Sequence, residues 1–214
     1  MTAPGAPPPV ARRLPPEPPL ADGEVILRIP LAPDAEAIAA ACSDPEIARW
    51  IPIPVPYSLD DALGFIDGAR DGWASGTDLT FAIEERASGL LVGMIGLHGV
   101  ERPGRAAVGY WLAPSARGRG LATRAVGLIT AWAFADPALV RLELMTLVGN
   151  DASGRVARRA GFRLEGILHR YLPFRETLVD AVMYAIVRDP GQRDAAPGTP
   201  EDPRAGAAGS RVRP

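Results

Sequence analysis

Proline decides where this chain can fold. Eight of its 23 prolines fall within residues 1–23 and five more within 189–214, leaving ten for the 165 residues between. Proline locks φ and removes an amide donor, and neither flank carries an apolar period. Residues 1–23 and 189–214 therefore read as extended or disordered tails around one folded unit, 24–188. A unit of that length can bury a real core. The N-terminal flank lacks the apolar run of about seven residues that an export signal needs. No stretch approaches the ~18 apolar residues of a membrane span. The expectation is a cytoplasmic protein with no membrane partner.

Composition removes further classes. A formal charge of −2 argues against a nucleic-acid partner. Cys42 is the single cysteine and His98 and His169 the only histidines, so no disulfide and no metal site of the usual kind is expected. All 23 basic residues are arginine. Without lysine there is neither a Walker A phosphate loop nor a Schiff-base nucleophile.

Inside the domain the punctuation predicts a mixed α/β order. Val25–Ile29 reads as a strand, Asp34 opens a helix to Ala41, and Ser43-Asp44-Pro45-Glu46 starts a second. Alternating prolines make Trp50 to Tyr57 a stiff extended loop, after which Ser58 with Asp61 caps a helix to about Asp71. Thr80–Glu85, Leu90–His98 and Ala107–Leu112, separated by turns, form an antiparallel meander. Gly120–Ala135 is an amphipathic helix, Val140–Val148 a strand, Ser153–Ala160 a helix, and Phe162–Arg170 and Val179–Arg188 two last strands.

The sharpest local signal is the run from Ala113 to Thr123, Ala-Pro-Ser-Ala-Arg-Gly-Arg-Gly-Leu-Ala-Thr, between a strand and a helix. Small residues let backbone amides approach an anion, and the helix start adds unpaired donors and the positive end of its dipole. Arg117 and Arg119 add charge. A Rossmann fingerprint would use Gly118 and Gly120, with Glu143 near its acidic position. Thr123 stands where a third glycine belongs, and the preceding meander is no βαβ unit. An arginine-rich turn that only caps a helix is the plain structural alternative.

Arg117-x-x-Gly120-x-Ala122 resembles the pyrophosphate-binding signature of the GCN5-related N-acetyltransferases (GNAT), and Val108 to Pro114 resembles that family's fourth strand and its exit. A second block, Asn150-Asp-Ala-Ser153 through Gly161-Phe162, is similar to the RimJ/RimL-type branch, which acetylates protein N-termini. Leu164-Glu165-Gly166 and Asp180 to Tyr184 extend the likeness across 24–188. The resemblance implies an α+β GNAT fold: a mixed, mostly antiparallel sheet of about seven strands, flanked by helices, with the fourth and fifth strands splayed.

The same resemblance implies acetyl-CoA as co-substrate. Tyr110, Trp111 and Leu112 would meet the pantetheine arm and offer an amide to the thioester oxygen. Arg117, Gly118, Arg119, Gly120, Leu121, Ala122 and Thr123 would hold the pyrophosphate. Asn150 and Ser153 would face the thiol, with Ser153 the candidate acid. Each could equally cap the following helix. Glu143 is the leading candidate base, although a strand glutamate is often merely paired, and Glu165, His169 and Asp180 stay open. Trp50, Tyr57 and Tyr171 are candidate acceptor contacts, or core. The arm Tyr171 to Glu176 is apolar where a carboxylate base might be sought.

An α-amine costs about 1 kcal/mol to deprotonate at neutral pH, a lysine ε-amine roughly 4.6 kcal/mol. A site without an evident carboxylate therefore favours N-terminal α-amines. A small-molecule amine acceptor, antibiotic or metabolite, and a silent acyl-CoA-binding module are the alternatives. A homodimer would be compatible with the resemblance.

Overall fold

The computed structural model describes residues 14–188. Most of the two expected tails lies outside the described residues. Leu20–Ala21, read from sequence as part of the N-terminal tail, forms a two-residue strand, β1, paired antiparallel to β2 (Val25–Arg28). Helices α1 (Ala35–Cys42), α2 (Pro45–Trp50) and α3 (Leu59–Ser75) follow. The meander is β3 (Asp78–Glu85), β4 (Leu91–His98) and β5 (Arg105–Leu112). Then come α4 (Leu121–Phe134), β6 (Arg141–Leu147), α5 (Asp151–Arg159), β7 (Arg163–Phe174) and β8 (Thr177–Val187). Because β1 is added, the sheet has eight strands rather than about seven, in the order β1-β2-β3-β4-β5-β6-β8-β7.

Every neighbouring pair is antiparallel except β5 and β6. That parallel pair holds for only three rungs, Arg105–Arg141, Ala106–Leu142 and Ala107–Glu143. Beyond them β5 stays bonded to β4 out to Leu112, opposite Gly93, and β6 to β8 out to Leu147, opposite Ala181. Each strand is thus satisfied on its outer side, and the sheet splits along its middle.

Apolar side chains alternate to the two faces, so each face has its own core. On one, Phe81, Leu97, Val108 and Leu142 pack against Val126 and Ile129 of α4. The Phe81 ring meets Trp73 and Trp132 edge to face, with centroids 5.1 and 5.4 Å away respectively. On the other, Ala82 and Met94 pack against Ile38 of α1, Ile47 of α2 and Ile66 of α3. The predicted caps form as read: Ser58 and Asp61 close a capping box on α3, and Asp44 caps α2.

One element differs. The arm expected after Arg170 is strand: β7 continues to Phe174, leaving a turn at Arg175-Glu176. Register shifts between Leu164 and Gly166 and between Leu168 and Leu172 bend it. Because β7 lies at the sheet edge, Pro173 breaks no ladder. Among the described residues no helix is long and apolar enough to cross a membrane.

Candidate active site

The split between β5 and β6 opens into a cleft of about 520 Å³. Its walls carry unpaired backbone. Ala113 N–H donates to Val92 O at 2.9 Å, so by antiparallel alternation Trp111 also turns its amide to β4, while Tyr110 and Leu112 turn theirs into the split. On the facing strand Arg141 N–H reaches Gly104 O at 3.0 Å, and the same alternation directs the backbone of Met145 and Leu147 inward. Unpaired amides in a partly buried slot invite a strand-like ligand that carries amides of its own.

At one end of the cleft lies the start of α4. Gly120 is its N-cap with φ +81°, no side chain caps it, and its first turn holds no acidic residue. Gly118 has φ +75°, and a Cβ added at either glycine would meet nothing within 4 Å. The cradle is therefore bare backbone, open to the cleft, with the first amides of the helix free of intrahelical acceptors. Both arginines are tied elsewhere. Arg117 pairs with Asp44 and donates to Leu112 O at 3.3 Å, and Arg119 pairs with Glu85. Arg117 still lines the cleft, together with Arg155 and Arg159 of α5. Arg119 and the buried Leu121 do not, whereas Ala122 and Thr123 do.

On the cleft wall, Ser153 meets Tyr110, with Asn150 beside it. Asn150 is the N-cap of α5, its Oδ1 accepting from Ser153 N–H at 3.1 Å. Ser153 is therefore not the cap, and its Oγ lies 2.9 Å from the Tyr110 hydroxyl. Burial pushes the Tyr110 phenol up to about 12 against the opposing pull of Ser153, so it stays protonated and able to donate. Gly154 brings α5 close to the sheet, directly over Tyr184 Oη. An acyl-CoA fits this donor set. The slot amides match pantetheine, and the glycine cradle, with Arg155 and Arg159, matches its phosphates.

Glu143, the expected base, does not line the cleft. It sits at the closed end of the split, 6% exposed, with Arg141 Nε at 2.7 Å and an Arg105 nitrogen at 3.8 Å. Glu165 chelates Arg141, and His169 pairs with Asp180 at 2.9 Å on the exposed hairpin. None of these carboxylates faces the slot. Trp50 lines the cleft, and Tyr171, 51% exposed, lines neither the cleft nor the smaller cavity beside it. Its neighbours Leu172, Pro173 and Phe174 line the cleft instead, and Arg175 anchors the hairpin by donating to Ala48 O at 2.9 Å. Glu46, Arg155 and Arg159 were not foreseen. They lie on helix faces whose aim depends on packing.

Across β5 a second, smaller cavity of about 180 Å³ shares Ile51, Gly109, Tyr110 and Trp111 with the cleft. Tyr57 lines it, with Cys42, Thr80 and His98. Among the described residues no His, Cys, Asp or Glu cluster could hold a metal ion.

The chain matches the family described as acetyltransferase (GNAT) domain over residues 24–163. The uncharacterized N-acetyltransferase YoaA of Bacillus subtilis (strain 168) is 29% identical over 165 residues, covering 77% of this chain and 93% of that protein. The ribosomal-protein-serine acetyltransferase of Escherichia coli (strain K12) is 31% identical over 100 residues, 46% of this chain and 56% of that one. The solved structure of Mycobacterium smegmatis RimJ in complex with CoA-disulfide has a TM-score of 0.69 at 29% identity, covering 76% of this chain and 81% of that chain. With a family match over most of the folded unit and the split sheet that the resemblance implied, the chain belongs to the GNAT family of N-acetyltransferases.

Proposed function

We propose that the protein transfers an acetyl group from acetyl-CoA to a primary amine, foremost the α-amine of a protein or peptide N-terminus. The observation that carries this is the slot between β5 and β6, with inward amides from Tyr110 and Leu112 and a bare glycine cradle at its end. Pantetheine would complete the two open strand edges, and the pyrophosphate would take the amides from Gly118 to Thr123. Arg117 would hold the loop through Asp44 and lend its charge from the cleft wall.

The amine nitrogen attacks the thioester carbonyl carbon directly, and the C–S bond breaks. The Tyr110 amide supports the charge that gathers on the carbonyl oxygen. When the Tyr110 hydroxyl donates to Ser153 Oγ, 2.9 Å away, the Ser153 O–H is left to face the departing sulfur. A thiol of pKa about 8.5 needs little help to leave, so Ser153 is an assisting acid. Asn150 positions it by capping α5.

Acceptor choice follows from energetics and from kinship. The relative named as a ribosomal-protein-serine acetyltransferase supports a protein acceptor. Among the described residues the cleft's one carboxylate is Glu46, already taken by Arg49 and Trp50 at 3.3 Å. An acceptor that deprotonates for about 1 kcal/mol suits such a site better than lysine. A thiol-release screen with acetyl-CoA, across peptides of varied first residue and a panel of small amines, tests this. Peptide α-amines should give the highest kcat/KM. Comparable values for lysine side chains or small amines would overturn the acceptor assignment, and tight acetyl-CoA binding with no thiol release for any amine would overturn the enzyme.

A further inference from the structure

The acyl-transfer reading leaves one proton without a destination. An acceptor arriving as an ammonium sheds two protons in becoming an amide: one ends on sulfur, and the other must reach solvent. Neither Glu143 nor Glu165 is free to take it, since both are held by Arg141.

The second cavity supplies a group that is. His98 ends β4 and lies over a floor of glycine: a Cβ on Gly109 would come within 2.9 Å of its Nε2, and one on Gly96 within 3.4 Å. Strand register explains this placement. Asp78, His98, Ala107 and Glu143 occupy one rung across four strands and so share a face. Asp78 Oδ1 lies 2.9 Å from His98 Nδ1. The carboxylate accepts the Nδ1 proton and leaves Nε2 with a free lone pair over Gly109. Gly109 immediately precedes Tyr110, whose amide faces the slot where the thioester would lie. The ring is half-exposed, so a proton taken from the acceptor has a path to water.

The groups facing His98 from other elements do not compete. Burial pushes the Cys42 thiol of α1 up to about 11. Burial, reinforced by Cys42 and Asp61, pushes the Tyr57 phenol up to about 12. Both therefore remain protonated at neutral pH. Glu143, two strands along the rung, is neutralised by Arg105 and Arg141. Arg102 packs against Gly99 beyond the turn and keeps its charge at every working pH.

We propose that His98, oriented by Asp78, is the general base that takes the acceptor's proton, and that the cavity between His98, Tyr57 and Trp111 receives the acceptor amine. The assignment rests on the acyl-transfer function above. In the step, Nε2 takes one proton from the nitrogen as the N–C bond forms, the C–S electron pair passes to sulfur, which ends as the thiol with the second proton, and the imidazolium returns its proton to solvent.

The test is thiol release by the full chain with a peptide acceptor, from about pH 6 to 9, for wild type, His98→Gln and Asp78→Asn, with acetyl-CoA titrated calorimetrically into each. His98→Gln should lower kcat/KM for the amine by about 10²-fold and abolish the acid limb of the wild-type pH profile. Its acetyl-CoA affinity should be unchanged. Asp78→Asn should shift the same limb with a smaller loss of rate, and it carries the test if the first variant does not fold. A wild-type pH profile in either folded variant overturns the proposal, as does a rate loss matched by an equal loss of acetyl-CoA affinity. A wild type that binds acetyl-CoA yet acetylates no amine fails differently, and overturns the transferase reading and this assignment together.

Discussion

Replacing Gly120 by alanine separates what the phosphate cradle costs the fold from what it gives the ligand. The residue sits at φ +81°, and an added Cβ meets no protein atom within 4 Å. The whole folding penalty is therefore backbone strain, about 1–2 kcal/mol for an L-residue held left-handed. For a domain of this size that lowers the melting temperature by roughly 2–8 °C. The methyl group would project into the open cradle and hold an anion off the first amides of α4. Losing one charge-assisted bond of about 1.5–3 kcal/mol weakens acetyl-CoA binding roughly 10- to 100-fold. Gly89, in the turn between β3 and β4, is the matched control, with φ +67° and equally open space, yet it lines no part of the cleft. Gly89→Ala and Gly120→Ala should melt alike by circular dichroism, and only Gly120→Ala should lose affinity in calorimetry. Wild-type affinity in Gly120→Ala, or equal weakening in Gly89→Ala, would refute the cradle.

Gly154→Ala places a Cβ 2.6 Å from the buried Tyr184 Oη, and the overpacking should cost about 1–3 kcal/mol in thermal denaturation, with Tyr184→Phe in the same chain restoring part of it. Ser153→Ala should reduce kcat less than about tenfold, since a thiol leaves readily, and a drop beyond about 100-fold would make Ser153 essential. Asp34 concerns stability alone. Burial raises its carboxyl, but Arg28 at 2.8 Å and the Leu31 amide outweigh burial and hold it below its ordinary value. A lowered folded value means the stabilisation is complete above the unfolded carboxylate value of about 3.9 and is lost as pH falls through the folded one. Urea denaturation of Asp34→Asn should show a deficit of about 1–3 kcal/mol at neutral pH that shrinks in acid.

Much of the fold was legible because its signals are local. Ser58 and Asp61, Asp44-Pro45 and Asn150 cap helices through neighbours within three residues, so their roles are visible without a tertiary structure. The loop from Arg117 to Thr123 was legible for the same reason, since a glycine-rich helix start presents its amides whatever surrounds it. Misreadings arose where a residue's meaning depends on distant partners. Glu143 has the position of a base in the sequence, but Arg105 and Arg141 close around it. Ser153 left a cap and a site role both open from sequence, and only the fold brings its hydroxyl to Tyr110, 43 residues away. The arm at Tyr171 became strand because β8 offers it a partner.

The sequence by itself determined the order of the elements and the glycine-rich loop ahead of α4, though not β1 at Leu20–Ala21, since prolines, caps and glycines act through bonds to near neighbours. Only the tertiary structure decided which amides face the split, which carboxylates are already paired, and that His98 lies over Gly109 beside Asp78. Those relations come from strand register, and register joins residues that the chain holds far apart.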